Sequence, residues 1–227
     1  MGTTIVGVPI DATSGAIIAS SGLILPKTAG TGFKVDTSSG VFPWHDIIGD
    51  VRPKTSGANT PALAAFRGGN VQAYAFVLND VIDFTFHIPH DYVPGSDLYW
   101  HIHWAHNGTN ISGTFTADSY VTYAKGHNQA NFSSEITATI TYDTVNLATT
   151  PQYRHRIDEV QLSAATPNAN QLDSDDIEVD GMIIVRTKVT GLPTVTGGNL
   201  FILFGDLHYQ STGMGTKGKS PTPGFWT

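Results

Sequence analysis

The segment Leu98-Tyr99-Trp100-His101-Ile102-His103-Trp104-Ala105-His106 narrows what this chain can fold into more than any other. Side chains on a strand alternate between faces, so Leu98, Trp100, Ile102 and Trp104 share one side while Tyr99, His101 and His103 share the other. Two indoles and two branched aliphatic groups on one face need a second layer over them, because a lone sheet leaves them in water. The strand therefore predicts a sandwich. Its other face is left to be a metal site, a subunit contact or solvated surface.

The same alternation recurs along the chain. Val81 to Ile88 sets Ile82, Phe84, Phe86 and Ile88 against Asp83, Thr85 and His87. Gly113 to Tyr123 and Glu135 to Thr144 repeat it, and Val71 to Val77, Tyr153 to Ser163, Met182 to Val189 and Leu200 to Tyr209 complete a set of about eight strands. No amphipathic helix is legible. Turn residues, including 24 glycines, separate the runs. The expected fold is all-β: an eight-stranded antiparallel jelly-roll-type β-sandwich over residues 61–210. Ala164 to Gly181, with Asn168, Asn170, Asp173, Asp175 and Asp176, reads as one long polar loop, a length usually reserved for function or interface.

Residues 1–60 differ. Thr4 to Ile10, Ala16 to Ala19 and Gly22 to Pro26 are apolar runs too short to close a core and too apolar for a solvated linker. An extended arm that adds to another protein fits both properties; edge strands on the chain's own domain are the alternative. The tail, 211–227, is polar and ends in Phe225-Trp226, a ring pair suited to docking.

Charge narrows the partners. Only 14% of residues are charged, and 12 Lys and Arg against 19 Asp and Glu give a net charge of -7, the wrong sign for a nucleic-acid binder. No apolar stretch has membrane-spanning length, so no membrane partner is expected. Zero cysteines exclude a disulfide framework and any thiolate metal site.

The sharpest enzymatic pattern is cupin-like. Gly95, five residues, then His101-Ile102-His103 resembles the first motif of the cupins, which are metal-binding β-barrels. Two imidazoles on one strand face stand about 6.5–7 Å apart and can chelate one ion. His208, which shares a strand face with Asp206, is the candidate third ligand, giving a possible metal set of His101, His103 and His208. The pattern departs from the family where a glutamate is wanted, since Asn107 and Gly108 stand there and no second histidine motif follows. The same histidines suit a subunit contact, or a ring of imidazoles around a symmetry axis.

Other chemistry is thin. The chain has no Gly-x-Ser-x-Gly elbow, phosphate loop or His-Glu-x-x-His, so no catalytic residue and no cofactor is expected. Asp83, Asp91, Asp97, Asp118 and Asp206 could act only if they converged in pairs, and Tyr99, Tyr120 and Tyr209 could bind sugar only as a shared platform.

Four segments together carry a resemblance: Phe42 to Val51, Ile88 to Tyr99, Tyr123 to Gln129 and Asp206 to Lys217. They resemble a group of tailed-bacteriophage virion structural proteins, over about residues 42–227. The resemblance implies a virion component, trimeric, such as a head decoration, cement or head-fibre protein, bound to other virion proteins through residues 1–60. A tail-fibre or receptor-binding role is the alternative within virions, and a cupin-like metal-binding enzyme the alternative outside them.

Overall fold

The computed structural model describes residues 42–54, 56–142 and 150–214. Residues 1–36 group as one unit and 37–227 as another. The first unit, and with it most of the segment read as an arm, lies outside the described residues, as does the Phe225-Trp226 end of the tail.

The second unit is a β-sandwich. Its principal strands are β4 (Val71–Phe76), β5 (Val81–His87), β6 (Tyr99–His106), β8 (Phe115–Ala124), β9 (Ile136–Tyr142), β10 (Arg156–Gln161), β13 (Met182–Gly191) and β15 (Leu200–Gln210). Sheet A has the order β10-β6-β15-β4 and sheet B the order β5-β13-β8-β9. Followed along the chain, these eight strands visit the sheets as A, B, A, B, B, A, B, A, the winding of two interlocked Greek keys. They are the eight strands the alternation predicts, and the fold is a jelly roll.

Shorter strands extend this frame. β1 (Trp44–Gly49) pairs with the second half of β15, β2 (Arg52–Pro53) with β5, and β3 (Ala62–Arg67) with β4 at the edge of sheet A. β7 (Asn110–Ser112) pairs with β14 (Thr194–Thr196), and β11 (Ser163–Ala164) runs parallel to β12 (Leu172–Asp173). Residues 44–53, assigned from sequence to the arm, are thus edge strands of the domain itself, because Ile47 and Val51 have this core to pack against. Strands of this unit are therefore present from Trp44, ahead of the expected boundary at 61. The segment from Ala164 to Gly181 also differs from a plain polar loop. It carries β12 and a 3-10 turn at Ser174–Asp176, and sends Leu172, Ile177 and Val179 into the core.

The core lies between the sheets. Ile82, Phe84 and Phe86 of β5 meet Trp100, Ile102 and Trp104 of β6, all but solvent-free. The Trp100 ring stands edge-on to Phe84 and Phe86, with centroids 5.0 and 5.6 Å away. Burying each such side chain contributes roughly 1.5–3 kcal/mol. The Trp100 indole N–H, which the core would otherwise strand, donates to Ser119 Oγ at 2.9 Å, and Ser119 bonds Thr187 at 2.8 Å. Every interior-facing position of β6 predicted from alternation is a core position.

Candidate functional site: the histidine face of sheet A

The opposite face of β6 points away from the sandwich interior, and strand register decides what meets it. Across β1, β15, β6 and β10, Ile48 lies beside Asp206, Asp206 beside His101, and His101 beside Glu159. The next row is Asp46, His208, Tyr99 and Gln161; the row on the other side is Phe204, His103 and Ile157. Directly opposed residues in an antiparallel pair share a face, so these side chains form one grid. A β-bulge between Ile202 and Phe204 makes the grid possible. Leu200 and Ile202 are core residues before it, Leu207 after it, and the extra residue resets the phase so that Asp206 and His208 face outward beside the histidines.

Among the described residues no further sheet covers this face, yet its centre is buried. His101 is 8%, His103 5% and Asp206 3% exposed. Phe204 stacks on His103 with centroids 3.9 Å apart, His155 lies beside the His103 ring with centroids 5.0 Å apart, and His208 stands edge-on to His101 at 5.0 Å. Asp206 Oδ1 is 2.9 Å from His101 Nδ1, and Oδ2 is 2.9 Å from His103 Nε2. On the far side of each ring, His101 Nε2 meets Glu159 Oε2 at 2.7 Å and His103 Nδ1 meets His155 Nε2 at 2.8 Å.

Charge follows geometry. Burial alone would raise the Asp206 carboxyl, but the two imidazoles outweigh it and hold it at about 2. Burial would lower His101, and the carboxylates of Asp206 and Glu159 reverse that and raise it. His155 is lowered, by burial first and by His103 second. The face is thus an anionic carboxylate clasped by imidazoles, buried in the open side of a sheet.

The three sequence candidates reach the same face but do not form one ligand set. His101 and His103 converge with Asp206, whereas His208 groups with His101 and the exposed Asp46, its Nδ1 lying 3.9 Å from Asp46 Oδ1. Asp206, placed beside His208 as a supporting carboxylate, stands instead between His101 and His103. Asp46, His155 and Glu159 were not singled out from sequence. They arrive from β1, the β9–β10 connection and β10, and only strand pairing brings them here.

The other candidates disperse. Asp83 is engaged by Arg186 (2.7 and 3.0 Å), Asp91 accepts from Tyr209 and Ser211, Asp97 from Gln161, and Asp118 from Thr139. Each has its own structural partner. The tyrosines share no platform either: Tyr209 is buried, Tyr120 belongs to sheet B, and Tyr99 lines an open groove of about 370 Å³ with Trp44, Ser96, Asp97 and Gln210.

Comparison with known proteins yields folds only. No family model and no curated protein matches. Among solved structures, the chain is similar to the carbohydrate-binding module TmCBM61, described in complex with β-1,4-galactotriose, at 12% identity and a TM-score of 0.28, covering 74% of this chain and 89% of that one. It is also similar to a family 11 carbohydrate-binding module from Clostridium thermocellum, described in complex with a β-1,3-1,4-mixed-linked tetrasaccharide, at 11% identity and a TM-score of 0.30, covering 78% and 94%. At that distance neither module's ligand carries over to this chain.

Proposed function

We propose that this chain is a structural protein of a bacteriophage particle: an accessory head protein of the decoration, cement or head-fibre kind, assembled as a trimer and attached through its N-terminal segment. The observation that carries this reading is the rim of the histidine face. Trp44, Ile48 and Ile157 stand 43%, 68% and 52% exposed around a buried polar centre, on a sheet face that no further sheet covers among the described residues. Large apolar groups ringing one open face are what a subunit contact supplies. The low charge agrees, since binding would rest on apolar contact and added strands and not on ion pairs.

A tail-fibre or receptor-binding role is the second reading. The groove beside Trp44 and Tyr99 favours it, because an indole edge flanked by Asp97 and Gln210 offers apolar and hydrogen-bonding contacts to a sugar ring. Particles assembled with the full chain should carry it on the head, and those assembled with a chain lacking residues 1–40 should not carry it at all. Labelling at the tail tip would support the second reading. Full incorporation of the shortened chain would refute attachment through the N-terminal segment.

A further inference from the structure

The centre of the histidine face holds two polar atoms that no hydrogen bond from the described residues satisfies. His103 Nε2 and Asp206 Oδ1 are buried and have no hydrogen-bond partner. Each lies 2.9 Å from an opposing ligand atom, His103 Nε2 from Asp206 Oδ2 and Asp206 Oδ1 from His101 Nδ1, but neither contact is aligned as a hydrogen bond. Distance and direction here point to different things. A hydrogen bond requires the oxygen on the N–H axis. Metal ligation requires an ion on that axis and the second ligand off it. For ligands about 2.0–2.2 Å from an ion at angles between octahedral and tetrahedral, neighbouring ligand atoms fall about 2.8–3.6 Å apart.

The far nitrogens complete the pattern. A metal-bound imidazole normally has its other nitrogen held, which fixes the tautomer and the ring plane. His101 Nε2 is held by Glu159 and His103 Nδ1 by His155, leaving His101 Nδ1 and His103 Nε2 turned towards Asp206. His101, His103 and Asp206 offer ligand atoms that all lie within 4.8 Å of one another, and all three residues are buried.

We infer that His101, His103 and Asp206 form a binding site for one divalent first-row transition ion, with Glu159 and His155 as the residues that orient the two imidazoles. Two imidazoles in three ligands select an ion such as Zn²⁺, Co²⁺ or Ni²⁺ over the oxygen-seeking Ca²⁺ and Mg²⁺. The site lies within one chain and does not depend on the virion reading. It also replaces His208 with Asp206 in the set expected from sequence.

Titration of the full-length protein with Zn²⁺ and Co²⁺, followed by calorimetry and by the visible spectrum of Co²⁺, tests this. One ion per chain is expected. Asp206→Asn or His103→Ala should abolish binding, and Glu159→Gln, at a half-exposed position that should not impair folding, should weaken it about 10- to 100-fold. His208→Ala should leave binding unchanged, as should His127→Ala in the separate cluster around Asp180. In the unmodified protein, Co²⁺ should broaden the imidazole resonances of His101 and His103 ahead of those of His87, His90 and His127. Substoichiometric binding by the wild type would overturn the inference. So would loss of binding with His208→Ala or His127→Ala while Glu159→Gln binds as the wild type does.

Discussion

Asp158 is a carboxylate that the sandwich buries against its own preference. It sits on β10, 6% exposed, and accepts a hydrogen bond from the Trp104 indole. Burial pushes its carboxyl up to about 6, more than the Trp104 bond and the nearby Arg156 charge lower it. A folded value above the unfolded one of about 3.9 means that this group stabilises the fold fully below that value, and that its contribution is lost as pH rises through 6. Asp158→Asn removes the titration and keeps an oxygen for Trp104. Urea unfolding should therefore find variant and wild type alike at pH 4, and the variant more stable at pH 8 by about 1–3 kcal/mol. A variant less stable at pH 8 would show that the charge is held favourably. Asp206 works in the opposite direction and in another window. Its depressed value makes a contribution present above about 3.9 and lost as pH falls towards 2. His101, with its raised value, loses its contribution as pH climbs above about 6.5, so only the comparison with the variant isolates Asp158.

At the scale of the element, β1 and β15 cross the core on a pair of glycines. Gly49 and Gly205 are directly opposed, and both face inward. A Cβ on Gly49 would lie 2.6 Å from Phe86 Cε1, and one on Gly205 would enter the six-membered ring of Trp100. Strand backbone here packs flat on aromatic faces, so the indole can lie under the sheet without displacing it. Gly205→Ala should cost about 1–3 kcal/mol by overpacking, read as a lowered midpoint in thermal or chemical unfolding. An unchanged midpoint would mean that Trp100 has room to move. This element also shows where sequence reading stops. Alternation locates β6 and its two faces, because Trp, Ile and Leu at every second position have few other solutions. The bulge near Leu203 leaves no such mark, and a single inserted residue changes which of two adjacent side chains faces the core. The outward set of β15 is legible at Asp206 and His208 only because alternation resumes after the bulge. Glu159 and His155 were not legible at all, since strand pairing across more than 50 residues selects them.

For the whole molecule, eight alternating segments sufficed to predict a jelly roll, since eight antiparallel strands with no helix must close on themselves to hide both edges and core. The accessory strands β3, β7 and β14 were not foreseen, and β1 and β2 were expected only under the alternative reading of residues 1–60. They are short or weakly apolar, and long-range pairing, more than local propensity, holds them. What distinguishes the assembled fold is a face that is polar at its buried centre and apolar at its exposed rim, and the proposed role rests on that face being covered by another copy. Light scattering of the full-length chain measures this most directly. The account predicts three times the mass of one chain for the wild type, and the mass of a single chain for Ile48→Asp combined with Ile157→Asp, with the sandwich still folded by circular dichroism. A wild type with the mass of one chain, or a double variant that keeps the wild-type mass, would contradict it.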